Sequence, residues 1–139
     1  MGAGILALLC LSGVAVVVSL YDNATKINRE APDAVVDGYL RAYLVMRDDA
    51  EASFYVCKSG GDFSQIEAYR ADIVAREARF STRIQVTWEG LSVTTNGSRG
   101  DVSVDLTRSI SDSESLTDRW QFVVVDQDGW RVCGATKVA

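Results

Sequence analysis

Histidine is absent from this chain of 139 residues, and so are the common catalytic and cofactor motifs. Histidine is a principal zinc ligand and the most frequent general base at neutral pH. The sequence also has no P-loop, no GxGxxG signature, no nucleophile elbow and no metalloprotease motif. We therefore expect no metal site and no cofactor, and we predict that the chain is not an enzyme.

Positive charge is scarce and scattered. Lys and Arg together number 14 against 19 Asp and Glu, which gives a formal net charge of -5, and no three basic residues are consecutive. Proteins that bind nucleic acid draw much of their affinity from clustered Lys and Arg side chains. The composition therefore argues against a nucleic-acid partner.

Cysteine occurs only three times. Cys10 lies within an apolar N-terminal run, which leaves Cys57 and Cys133 as an even pair without the spacing of a zinc site. We predict a disulfide between Cys57 and Cys133, with two separate buried thiols as the alternative. The bridge would assign the domain to an oxidising compartment.

The N-terminus holds the one long apolar segment. Residues 2–21 carry no charge, and their polar side chains are those of Ser12, Ser19 and Tyr21. At about 1.5 Å per residue a helix of this length spans about 30 Å of hydrocarbon. We predict a transmembrane helix over residues 2–21. A cleaved signal peptide is the alternative, but its basic start is missing, and Leu9 before Cys10 is unsuited to lipoprotein processing.

Charges beside the predicted span weakly favour the orientation opposite to the one that the disulfide implies. Lys26 and Arg29 follow the span and favour a cytoplasmic domain, although Asp22 and Glu30 offset them. We give the predicted disulfide more weight. The prediction is a single-pass protein of the cell membrane with its domain outside the cytoplasm.

Helical patterns occupy the first half of the predicted domain, residues 32–139. A polar linker over residues 22–31 leads to Pro32, a residue favoured at the first position of a helix. A shorter helix is predicted over residues 50–57, and a third from an N-cap at Asp62 through Arg79. Apolar residues recur at spacings of three and four along these segments.

After Phe80 the apolar period changes to two, as in β-strands. Glu89-Gly90 predicts a bulge, residues 96–100 and 126–129 predict turns, and residues 111–115 predict a polar loop. The strands expected between them contain Ile84 to Val93, Val102 to Leu106, Trp120 to Val125, and Trp130 to Val132. The fold class is therefore α+β, with three helices packed on a curved, four-stranded antiparallel sheet.

This order of elements resembles the nuclear transport factor 2-like (cystatin-like) superfamily. The likeness rests on the helical sequence Phe-Tyr-Val-Cys at residues 54–57 and on a last hairpin ending Asp-Gly-Trp-Arg-Val-Cys-Gly at residues 128–134. Membrane-anchored actinobacterial Mce-associated proteins look similar. The resemblance implies a cone in which the sheet wraps around the first helix, and Cys57 and Cys133 would tie a helix end to the final strand.

Aromatic side chains are the best candidates for lining such a cone. Tyr39, Tyr43, Trp88 and Trp120 are the predicted pocket residues, and Tyr69 could join the two other tyrosines. The alternative is that they form ordinary core, with tyrosine hydroxyls at its rim. No copy of the superfamily's catalytic motifs is recognised in the sequence.

The leading functional hypothesis is a membrane-anchored, non-catalytic accessory subunit that binds and stabilises an envelope protein complex. Tethering would raise its effective concentration towards other membrane proteins, its expected partners. The resemblance implies Mce-type transport as the setting, with a scaffold of conjugation or type IV secretion machinery as one alternative. The other alternative is a module that binds a small apolar ligand or lipid. The sequence leaves the oligomeric state open.

Overall fold

The structure, a computed structural model, describes residues 29–111 and 114–138. Within these ranges no helix is long and apolar enough to cross a membrane. The predicted span over residues 2–21 and most of the linker lie outside the described residues. The described part of the linker joins the domain at Arg29, whose carbonyl accepts a hydrogen bond from the backbone N–H of Trp130 at 2.8 Å.

Helix α1 covers Pro32–Leu40 and continues as a π-helix over Arg41–Val45. It begins as predicted at Pro32, whose missing N–H costs nothing in the first turn. The side chains that it buries against the sheet are Val35, Val36, Tyr39 and Leu40.

The predicted helix over residues 50–57 is only partly correct. Helix α2 covers Asp49–Ala52, with the Asp48 side chain accepting from the backbone N–H of Glu51, and a 3₁₀ turn follows over Ser53–Tyr55. Helix geometry stops there because the next residues pair with the sheet instead. The Cys57 N–H donates to the carbonyl of Val132 at 2.9 Å.

Helix α3 covers Ser64–Phe80 and buries Ile66, Tyr69 and Ile73. The N-cap position is Phe63 and not the predicted Asp62. Asp62 lies one position earlier, and its carboxylate accepts from the backbone N–H and the hydroxyl of Ser64 at 3.0 and 2.7 Å. The helix ends at Ser81, which adopts a left-handed conformation. Helix α3 thus crosses the sheet as a second covering element.

Four antiparallel strands form one sheet in the order β1-β2-β3-β4. The strands are β1 over Gln85–Asn96, β2 over Arg99–Ser111, β3 over Glu114–Asp126 and β4 over Trp130–Lys137. The predicted bulge is confirmed, because the register shifts between Glu89 and Ser92. The turns at residues 96–100 and 126–129 are also confirmed.

The predicted loop over residues 111–115 is wrong. Strand β2 extends to Ser111 and β3 begins at Glu114, so pairing continues almost to the end of the hairpin. Backbone hydrogen bonds between long antiparallel strands sustain this polar stretch without help from apolar side chains. Thr107 and Thr117 add a cross-strand hydrogen bond of 2.7 Å between their hydroxyls.

The outer edge of β4 is covered by residues 56–62, which we call the edge strap. Val56 pairs with Val132 and Asp62 with Gly134, both in parallel orientation. The predicted disulfide is confirmed: Cys57 and Cys133 are bonded, with Cα atoms 5.0 Å apart. That Cα separation is typical of a disulfide, and the bridge holds the edge strap against β4.

Buried side chains from α1, α3 and one face of the sheet form one core. Its largest fully buried members are Trp120, Phe122, Leu40, Ile66, Ile73 and Leu106. The confirmed fold class is α+β, with three helices on a four-stranded antiparallel sheet.

Candidate functional site

A pocket opens where α3 crosses the far ends of β2, β3 and β4, away from the β3–β4 turn. Its volume is about 310 Å³, and Tyr69 and Trp120 form its inner wall. The remaining lining residues are Gln65, Ala68, Asp72, Arg108 and Lys137. We call this the α3–sheet pocket.

The strand and helix periods bring these side chains together. On β3, Asp118 and Trp120 are two residues apart, so both face the helix side of the sheet. On α3, Gln65, Tyr69 and Asp72 are spaced by four and three residues and share one face. The Tyr69 and Trp120 rings meet edge to face with centroids 5.3 Å apart.

Three polar atoms in and beside this pocket are buried and have no hydrogen-bond partner among the described residues. Two belong to lining residues, the Tyr69 hydroxyl and Trp120 Nε1, and the third is Oδ2 of Asp118, the ion-pair partner of the lining residue Lys137. Trp120 is 1% exposed and Tyr69 is 7% exposed. Buried polar groups are nearly always paired, so three unpartnered ones in one cluster are unusual.

Two ion pairs border the α3–sheet pocket. Arg108 Nη1 lies 2.6 Å from Asp72 Oδ2, and Lys137 Nζ lies 3.2 Å from Asp118 Oδ1. The Arg108 guanidinium also lies over the Tyr69 ring, 5.0 Å from its centroid, as a cation–π contact. Arg76 Nε also lies 3.0 Å from Asp72 Oδ2, so Arg108 and Arg76 share one carboxylate.

The Tyr69 hydroxyl keeps its proton over a wide pH range. Burial raises its pKa to about 12, and this outweighs the opposing effect of the Arg108 charge, while the nearby carboxylates of Asp118 and Asp72 also raise it. At neutral pH the hydroxyl is therefore a neutral donor and acceptor.

Three other concavities lack this combination of a pocket and unpartnered buried polar atoms. One of about 260 Å³ lies between α1 and Tyr55, and one of about 300 Å³ lies beside Arg47 and Arg83. A shallow groove of about 570 Å³ runs along α3 past Tyr43 and Val74. No unpartnered buried side-chain atom among the described residues belongs to any residue lining them.

The four predicted pocket residues lie in different places. Trp120 lines the α3–sheet pocket, whereas Tyr39 is a core residue with 2% exposure. Tyr43 stacks on Tyr39, with ring centroids 5.4 Å apart, and lines the groove along α3. Trp88 is half-buried on β1, and its indole N–H donates to Asp37 on α1 at 2.9 Å. The structure thus does not gather all four around one cavity.

Sequence reasoning missed Asp118, Arg108, Lys137 and Gln65. Asp118 lies after the predicted loop and before the predicted start of the strand at Trp120, so it was assigned to neither. Extending the period of two back from Trp120 would have placed Asp118 on its face. On β2 the same period of two runs from Leu106 to Arg108. For Lys137, only the strand register shows that it approaches this face.

Comparisons with known proteins identify the fold but not the family. No family model matches the chain, and no curated protein matches it. A candidate association domain of calcium/calmodulin-dependent protein kinase type II from Thiobacillus denitrificans is similar over 78% of this chain and 94% of that chain, with TM-score 0.59 and 12% identity. A protein described as Rd1NTF2_04 with long sheet is similar over 78% of this chain and 100% of that chain, with TM-score 0.55 and 15% identity.

A candidate aromatic ring hydroxylase from Novosphingobium aromaticivorans is also similar, over 74% of this chain and 82% of that chain, with TM-score 0.49 and 16% identity. Independently of this likeness, the prediction that the chain is not an enzyme is wrong as an inference from composition. The inference failed because tyrosine and carboxylate groups also transfer protons, so a lack of histidine does not exclude catalysis.

The likeness to these structures matches the superfamily resemblance seen in the sequence. It does not extend to the finer resemblance to Mce-associated proteins. The domain has the nuclear transport factor 2-like fold.

Proposed function

We propose that the domain binds a small organic molecule in the α3–sheet pocket. The observation that supports the proposal is the set of three buried, unpartnered polar atoms on Tyr69, Asp118 and Trp120. A ligand that pairs with them would recover the free energy lost in burying each one, about 1 to 3 kcal/mol per group. The pocket also combines aromatic walls with a few polar groups, as small-molecule sites do.

Two alanines on α3 offer a matched test of this proposal. Ala68 lines the α3–sheet pocket and Ala71 lines the neighbouring groove, and both are exposed on the same helix. Ala68→Trp should fill the pocket, whereas Ala71→Trp should leave it open. Neither change removes a core contact, so both variants should fold.

The measurement is a ligand screen by ¹H–¹⁵N NMR on the full chain in detergent micelles. Ligands should shift the indole N–H signal of Trp120 in the wild type and in Ala71→Trp, but not in Ala68→Trp. The indole of Trp88, already bonded to Asp37, serves as an internal reference. Equal shifts in both variants would show that binding occurs elsewhere and would contradict the proposal.

We further propose, from the sequence, that residues 2–21 hold this binding domain at the outer face of a cell membrane. The supporting observation is the Cys57–Cys133 disulfide, because such bridges persist mainly in oxidising compartments. Protease added to intact cells should remove the domain, and protection until the membrane is opened would contradict this orientation. Participation in an Mce-type or other envelope complex stays a prediction from the sequence.

A further inference from the structure

We propose that the ligand of the α3–sheet pocket is a neutral ring compound carrying a hydroxyl or primary amide group. This inference rests on the proposed function and narrows it to a ligand class. It follows from the hydrogen-bonding capacity of the three unpartnered atoms, from the ion pairs that already engage the charged side chains of the pocket, and from its aromatic walls.

The unpartnered atoms demand a ligand group that both donates and accepts. Trp120 Nε1–H is a donor only, and Asp118 Oδ2, in a carboxylate paired with Lys137, is an acceptor only. The Tyr69 hydroxyl can act either way. A hydroxyl or a primary amide accepts from one side and donates to the other, whereas a ketone or ether would leave Asp118 Oδ2 unpaired.

The ion pairs at the pocket disfavour an ionised ligand. Arg108 is already paired with Asp72, a carboxylate that it shares with Arg76, and Lys137 is paired with Asp118. A carboxylate would have to compete for these cations and would approach Asp118 Oδ2, whereas an ammonium group would approach the guanidinium of Arg108. In either case the ligand charge would lose water without a free counter-charge, which is unfavourable in a partly buried site.

The apolar part of the pocket suits a ring. Tyr69 and Trp120 meet edge to face, and Ala68 leaves space beside them. Aromatic side chains favour further offset or edge contacts with a planar ligand. A ring would therefore lie against this wall with its polar group turned towards Trp120 Nε1 and Asp118.

Five probes with the same methyl-substituted ring separate the alternatives. They are 4-methylphenol, 4-methylbenzamide, 4-methylbenzoate, 4-methylbenzylammonium and p-xylene, each titrated into the full chain while the Trp120 indole signal is followed. The phenol and the amide should bind about tenfold more tightly than the other three. The Ala68→Trp variant corrects for partition of the probes into detergent.

Two conservative variants test the individual contacts. Tyr69→Phe and Asp118→Asn keep the shape of the pocket and the Trp120 signal. Each should weaken binding of 4-methylphenol about tenfold and change binding of p-xylene less than about twofold. Equal losses for both probes would indicate a change in packing and would contradict the assigned hydrogen bonds.

The outcomes distinguish this inference from the proposed function. Tightest binding of the benzoate or of the benzylammonium probe at Trp120 would overturn the ligand class and leave the pocket as a binding site. Binding of p-xylene with the same affinity as 4-methylphenol would also overturn the ligand class and leave the pocket as a binding site. No shift of the Trp120 signal with any probe would count against the ligand class and the binding function together.

Discussion

Glu77 illustrates how one side chain joins three parts of the domain. Its Oε1 lies 2.6 Å from Nη1 of Arg47, after the π-helix, and its Oε2 accepts from the backbone N–H of Ile84, before β1, at 2.8 Å. The hydrogen bond from Arg47 holds the pKa of the Glu77 carboxyl below its usual range, although partial burial opposes this shift. The carboxylate therefore fixes α3 to the segments on either side of it.

Glu77→Gln should lower the free energy of unfolding at pH 7 by about 1 to 3 kcal/mol, because the amide keeps the shape but loses the charge. Because the folded-state pKa of Glu77 is lowered, its contribution is present above the ordinary glutamate pKa and is lost as pH falls through the lowered value. The difference between variant and wild type should shrink between pH 5 and about pH 3. Urea unfolding at each pH measures it.

The exposed Glu89 on β1 provides the control. Glu89→Gln should change the free energy of unfolding by less than about 0.5 kcal/mol. A loss in Glu77→Gln that persists undiminished at pH 3 would show that the carboxylate charge is not responsible.

At the same scale, the sequence indicates which residues are buried better than which residues meet. The period of two correctly places Trp120 on the inner face of the sheet. It does not indicate that Lys137 pairs with Asp118, since this depends on the register between β3 and β4. Contacts between distant segments require the fold first, and so the ion pairs of the candidate site could not be predicted.

At the scale of elements, the edge strap depends on a close backbone approach at Gly61. A Cβ atom there would lie 2.5 Å from the carbonyl oxygen of Cys133, and the φ angle is +93°. Gly60 also has a positive φ, +78°, but a Cβ atom there would meet nothing within 4 Å. Substitutions at these two glycines therefore distinguish the effect of steric contact from the effect of backbone strain.

Gly61→Ala should lower the free energy of unfolding by at least about 2 kcal/mol, since strain adds to a clash with the backbone. Gly60→Ala should cost about 1 kcal/mol from the left-handed conformation alone. Denaturant unfolding under non-reducing conditions measures both. Equal losses in the two variants would indicate that the approach to Cys133 is unimportant.

Cys57→Ser should destabilise the domain by up to about 4 kcal/mol, because the bridge closes a loop of 76 residues in the unfolded chain. The amides of residue 57 and Ala135, which bond to β4 and to the edge strap, should exchange hydrogen faster than in the wild type. Thermal unfolding and hydrogen exchange measure the two effects. Cys10→Ser should change neither, and an unaltered melting temperature in Cys57→Ser would contradict the role of the bridge.

The elements themselves were largely predictable because their periods are strong. Helix α3 and the turn after Asp126 follow local rules of apolar spacing and turn composition. The predicted helix over residues 50–57 was cut short because pairing with β4 competes with helical hydrogen bonds from Val56 onwards. Tertiary contacts therefore overrode local preference where the edge strap begins.

At the scale of the whole molecule, two buried tyrosines limit stability in alkali. Burial raises the pKa of both the Tyr39 and Tyr69 hydroxyls, that of Tyr69 to about 12. In the unfolded chain tyrosine loses its proton near pH 10. Their neutral hydroxyls therefore favour folding below that pH, and this contribution is lost as pH rises from about 10 to 12 and beyond.

The free energy of unfolding should fall steeply above pH 10, and tyrosinate absorbance at 295 nm should rise together with unfolding. The free energy of unfolding of Tyr69→Phe should fall less steeply over the same range, because one of the two tyrosines with the largest pKa shifts is gone. For Tyr55→Phe, at a half-buried position, the pH dependence of the free energy of unfolding should be closer to that of the wild type. Early, non-cooperative titration of every tyrosine would contradict this expectation.

The entry point of the chain and the α3–sheet pocket lie at opposite ends of β4. Arg29 contacts the domain beside Trp130, whereas Lys137 borders the pocket seven residues further along the strand, a separation of about 20 Å. If residues 2–21 cross a bilayer, the pocket lies at the end of β4 farther from the point where the chain enters the domain. A ligand would then be exchanged at this far end and not beside the segment that leads to the membrane.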